Sequence, residues 1–165
     1  MQIFHKIEEQ IIRSKRRFFL LRQLNSDKEF SFFSDAEIIC NVINSKFHIH
    51  LGEDRDESST MPTFYGYFDN EKLKAEDYKI ISLDNLKTKL FSFVEYWNGK
   101  DQIFTESIEQ NITEKLNVNS KFYHLDLDKF DNEKKADWHT YSTFIGFLSI
   151  DSERNILTVI EFGED

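Results

Sequence analysis

Two strand-forming runs close the chain, residues 141–150 and 156–162, with only the polar stretch 151–155 between them. Runs that near each other in sequence pair as an antiparallel hairpin. Both carry apolar residues on both faces, among them Phe144, Ile145, Phe147 and Leu148 in the first and Leu157, Val159, Ile160 and Phe162 in the second. A strand with one wet face alternates strictly, so these two belong in the middle of a sheet covered on both sides by helices.

Helices to cover it are legible upstream. Ser34 stands three places before Glu37, a capping box, and predicts a short helix over 36–43. Ser82 or Asp84 caps a second helix running to about Trp97, with Leu83, Leu86, Leu90, Phe93, Val94 and Trp97 on its apolar face and Asn98-Gly99 ending it. Residues 105–116 predict a third, with Ile108, Ile112 and Leu116 four apart. Strands are expected at 47–51, 64–68, 78–81 and 122–127. Residues 2–24 predict an amphipathic helix, because Ile3, Phe4, Ile7, Ile11, Phe18 and Leu21 recur at helical spacing. From Phe18 onward the run is apolar all round and equally opens a buried strand, with another at 30–33. Residues 52–63 are the one clear loop, rich in acids and holding the single Pro. The sum is one α+β domain over residues 1–165: a mostly antiparallel sheet, helices packed on it, and a C-terminal β-hairpin.

Composition excludes several classes. Aromatic residues make up 15% of the chain, too many for a disordered segment. One Cys, Cys40, excludes an internal disulfide and any Cys-based zinc site, and it is expected buried and inert. No apolar run approaches the ~18 residues that span a bilayer, and Glu8 and Glu9 stand where a signal peptide would be basic or apolar. A cytoplasmic location is expected.

Charge has functional content. The net charge is −9, yet residues 1–28 hold seven basic and three acidic residues, a net +4 that leaves −13 on the remainder. An acidic body repels phosphate and favours basic partners, so neither nucleic acid nor membrane is expected as a partner. Solubility alone would also account for the acidity.

Candidate chemistry is sparse. His48 and His50 share a strand face in the expected pattern, as do His124, Asp126 and Asp128. Neighbouring strands would make these a divalent-metal site; solvated strand faces are the other reading. Asp137-Trp138-His139 places a carboxylate and an imidazole at i and i+2, but no nucleophile elbow and no Gly-rich phosphate loop accompanies them. No catalytic residue, cofactor or resident metal is expected. Tyr65 and Tyr67 sit in an aromatic run that forms either a core strand or an exposed recognition surface.

A short acidic α+β chain with the acidic loop Glu53, Asp54, Asp56, Glu57 and a closing hairpin resembles bacterial immunity proteins of polymorphic or contact-dependent toxin systems. The resemblance is one of general character and rests on no diagnostic motif. It implies a non-catalytic toxin inhibitor. Its acidic surface would mimic the phosphate charge of a basic toxin's substrate, the toxin often being a nuclease, and exposed aromatics would anchor the contact. The implied partner-binding residues are Glu53, Asp54, Asp56, Glu57, Tyr65 and Tyr67, with Asp126, Asp128, Asp131 and Glu133 as a second acidic stretch. A metal-dependent hydrolase using His48/His50 and His124/Asp126 is one alternative, and a regulatory or structural subunit another.

Overall fold

A computed structural model describes residues 2–48, 64–98, 101–127, 133–136 and 142–164. The closing hairpin is present, as β7 (Thr143–Asp151) and β8 (Ile156–Glu164). Its turn ends on Asn155 at φ 57°, a left-handed position that Asn tolerates better than most residues. The Asn155 amide secures the turn, accepting from the Phe30 N–H at 2.8 Å and donating to the Ser26 carbonyl at 3.1 Å.

Around this pair the sheet is fully antiparallel. Its other members are β1 (Phe4–Ser14), β2 (Arg17–Ser26), β5 (Tyr78–Ile81) and β6 (Lys121–Leu125), in the order β1-β2-β8-β7-β6-β5. The two strands with two apolar faces are therefore central, and each face has its own core. On one side α2 (Leu83–Asn98) and α3 (Gln102–Lys115) bury Leu86, Leu90, Phe104, Ile108 and Ile112 against Phe19, Phe147, Ile160 and Phe162. On the other, α1 (Asp35–Ile43) and the two-stranded ribbon of β3 (Phe64–Tyr65) and β4 (Phe68–Asp69) cover Leu20, Leu24, Leu148 and Val159. The capping box forms at α1: Ser34 Oγ accepts from the Glu37 N–H, and Glu37 Oε2 accepts from the Ser34 N–H at 2.8 Å.

The first 26 residues overturn the helical expectation. Residues 4–26 form the β1–β2 hairpin, and the supposed stripe does not share a face: Ile3, Ile7 and Ile11 are exposed, at 58%, 52% and 42%, while Phe18 and Leu21 are buried on opposite sides of the sheet. The register shifts between Lys6 and Glu8, so Ile7 is an extra residue, a β-bulge. Before it the even positions face the α1 side, and after it the odd ones do. One change of phase puts Phe4 and Ile11 on one face, seven residues apart, a spacing that two turns of helix also give. For residues 18–21, left open between helix and strand, the answer is strand β2. Phe30–Phe32 is a 3-10 turn rather than a strand. The run 64–68 folds on itself about Gly66 instead of joining the main sheet. Phe47 and His48 lie in a turn, not a strand; the rest of that expected strand and the 52–63 loop fall outside the described residues.

Candidate functional site

Of the expected partner-binding residues, Glu53, Asp54, Asp56, Glu57, Asp128 and Asp131 lie outside the described residues, as do His50 and Asp137 to His139. Tyr65 and Tyr67 do not form a recognition surface. They are 0% and 6% exposed, drawn into the α1-side core because Gly66 turns the ribbon's aromatic rings against Phe144. Asp126 and Glu133 are accessible. They share one end of the sheet: the Asp126 N–H bonds the Asp77 carbonyl at 3.0 Å, and Lys134, next to Glu133, pairs with the Asp77 carboxylate at 3.1 Å. Cys40 is exposed on α1, contrary to the expected burial.

Two of the proposed metal ligands, His48 and His124, lie on opposite faces of the sheet. His48 is fully buried on the α1 side, stacked on Tyr65. His124 faces the α2 side beside Phe147, because its neighbours Tyr123 and Leu125 point into the α1-side core and successive side chains alternate. Among the described residues no three His, Cys, Asp or Glu side chains converge on a point that could hold a metal ion.

What the interior holds instead is a buried polar chain. Asn70 Nδ2 donates to the Ile43 carbonyl at 2.8 Å, which aims Oδ1 at His48. His48 Nδ1 therefore donates to Asn70 Oδ1 at 2.6 Å, and Nε2 accepts from the Tyr78 hydroxyl at 2.6 Å. Burial holds the imidazole neutral, its pKa pushed down to about 4. A hydroxyl, an imidazole and an amide in this order have the form of a nucleophile, base and orienting group. Yet Tyr78 is 4% exposed and Asn70 7%, so the chain is placed to tie α1, β5 and the turn after β4 together rather than to meet substrate.

Past Tyr78 the chain continues to Tyr65 and Glu161. Glu161 is 1% exposed on central strand β8, and burial raises its pKa to about 8 against the opposing pull of Arg22. Tyr65 Oη and Glu161 Oε1 lie within electrostatic reach of one another, and neither has a well-formed hydrogen bond among the described residues. Arg22 is itself tied to Glu9 at 2.5 Å and to the Phe47 carbonyl at 2.6 Å. This group escaped sequence reasoning, although Glu161 is a lone acid inside an apolar strand, a visible signal of a buried charge.

No family model, no curated protein and no solved structure matches this chain.

Proposed function

We propose that the chain is a non-catalytic protein-binding module of the immunity type, which blocks a basic partner through acidic side chains at the β5–β6 end of the sheet. The observation that carries this reading is that the net-basic segment lies apart from two exposed acids. The net-basic segment folds as the β1–β2 hairpin at one edge, while Asp126, directly after β6, and Glu133 stand exposed toward the opposite edge. Five strand spacings separate those edges, about 24 Å. A basic partner approaching the acidic end is attracted there and meets the repulsive hairpin only at a distance beyond screening, about 8 Å at physiological ionic strength.

With Tyr65 and Tyr67 in the core, the apolar anchor falls to Ile80, 67% exposed on edge strand β5. It lies three residues, about 10 Å, from the Asp77 carbonyl that holds Asp126. Opposite placement of His48 and His124 speaks against these two sharing one metal, and so favours the binding reading over the hydrolase. No helix among the described residues is long and apolar enough to cross a membrane.

The test is affinity capture from the native host at low and high salt, with three baits: wild type, Asp126→Lys/Glu133→Lys, and a form with Glu53, Asp54, Asp56 and Glu57 changed to Lys. A basic protein should bind wild type in a salt-sensitive manner and associate about 10-fold more slowly with at least one variant. A partner held equally by all three baits, indifferent to salt, would leave the acidity a matter of solubility and the binding surface apolar. One equivalent of zinc in the purified protein, lost in His48→Ala, would restore the hydrolase.

A further inference from the structure

β6 and β7 are paired only from Lys121 opposite Ile150 to His124 opposite Phe147. Beyond that row β6 is held from its other side, by Tyr78 across from Leu125 and by the Asp126 amide on Asp77. β7 meanwhile stays with β8 through Gly146, Ile145 and Phe144. The strands part and leave a wedge in the sheet. Both covering layers reach into it, with Tyr67 and Phe68 from the ribbon side and Phe93 from α2, around a cavity of about 200 Å³.

The described walls of this cavity are apolar except at two side chains. The Tyr67 hydroxyl is already engaged with Thr143 and the Phe144 backbone. His124 makes no hydrogen bond among the described residues. Its ring lies 5.0 Å from Phe147; Asp126 Oδ1 is 3.7 Å from Nδ1, beyond hydrogen-bond reach, and Lys89 acts on the ring electrostatically. The imidazole thus offers one donor and one acceptor nitrogen, with no hydrogen bond among the described residues to occupy either.

We propose that this cavity binds a small neutral aromatic molecule bearing one hydroxyl, a phenol, with its ring between Phe68 and Phe93 and its hydroxyl on the His124 imidazole. Size supports a single ring: apolar cavities of about 150 Å³ take up benzene, and this one leaves room for a substituent. The aromatic walls favour an aromatic guest through edge-to-face contacts over an aliphatic one. An ion is disfavoured because nothing in the apolar wall replaces its water. The unengaged imidazole discriminates against a guest that lacks the hydroxyl, since that guest leaves the imidazole unpaired.

The experiment is calorimetric titration of the full chain with phenol, toluene and benzoate, read alongside the histidine ring nitrogens by NMR. Phenol should saturate and shift the His124 nitrogens. Toluene should bind about 10-fold more weakly, one hydrogen bond's worth, and benzoate should not bind. In His124→Leu phenol should fall to the level of toluene. Filling the wedge with Ile145→Phe should abolish binding; should that variant not fold, Leu127→Phe at a half-buried wall position does the same work. No saturation by phenol at millimolar concentration, equal affinity for phenol and toluene in wild type, or binding that survives a folded filled variant would overturn the proposal.

Discussion

The imidazole of His48 lies flat on the phenol ring of Tyr65, ring centroids 3.6 Å apart and planes 19° from parallel. That stack fixes the imidazole plane, and the plane sets both of its hydrogen bonds, to Asn70 on one side and Tyr78 on the other. Three chain segments far apart in sequence thus meet at one side chain. Replacing His48 by Phe would preserve the stack and orphan Asn70 Oδ1 and the Tyr78 hydroxyl. The expected loss is about 2–4 kcal/mol, since each buried group left unmade costs about 1–3. Urea unfolding measures it, and a change under 1 kcal/mol would show that the site relaxes to satisfy both partners. Ring-nitrogen NMR of wild type should find the proton on Nδ1 from pH 5 to 8.

Phe147 reports on the hairpin. It is fully buried on the α2 side of a central strand, between Ile160 across the pair and the helices above. Phe147→Ala should destabilise by about 3–5 kcal/mol, the usual cost of truncating a buried Phe where the surroundings cannot collapse. A midpoint shift worth less than 1 kcal/mol would mean the strand is peripheral.

Gly66 reports on the ribbon that carries Tyr65. It sits at φ 63°, and an added Cβ would overlap the Phe144 ring. Gly66→Ala combines a disfavoured backbone with that overlap, and about 2 kcal/mol or more should be lost. Near-ultraviolet circular dichroism should change with it, because Phe144 packs edge-on against both Tyr65 and Tyr67. An unchanged spectrum and an unchanged midpoint would refute the packing described.

The parts of the fold that could be read from sequence are those where one local rule acts alone. Ser34 and Glu37 placed α1, the heptad-like leucines placed α2, and the two-faced apolar runs placed β7 and β8 in the centre. The β1–β2 hairpin was illegible because the bulge at Ile7 breaks the alternation that identifies strands. Tyr65 and Tyr67 were ambiguous because an aromatic run looks alike at an interface and in a core; only the turn at Gly66 folds them inward. The buried chain from Asn70 to Glu161 joins β8 to residues more than eighty positions earlier, and no local pattern encodes a contact of that range.

Burial gives stability a maximum in pH. His48 and His124 have pKa values pushed down to about 4, chiefly by burial, against about 6.5 when unfolded. The unfolded chain therefore takes up protons first as pH falls below about 6.5, and stability drops from there toward 4. Glu161 works the other way. Its folded value, about 8, exceeds the ordinary 4.5, so the unfolded chain releases the proton first and stability falls as pH rises from 4.5 to 8. Between 4.5 and 6.5 two histidines outweigh one acid; above 6.5 only the acid acts. Carboxylates held low by their partners, such as Glu8 and Asp27, act below this range. Stability should therefore peak near pH 6.5 and decline by about 1–2 kcal/mol toward pH 8, the most that one proton can contribute over that interval. Glu161→Gln keeps the shape without the proton and should hold the curve level over that alkaline stretch. Urea midpoints taken every half unit from pH 4 to 9 decide the matter. A wild type that gains stability from 6.5 to 8, or a variant with the same decline as wild type, would remove Glu161 from the account.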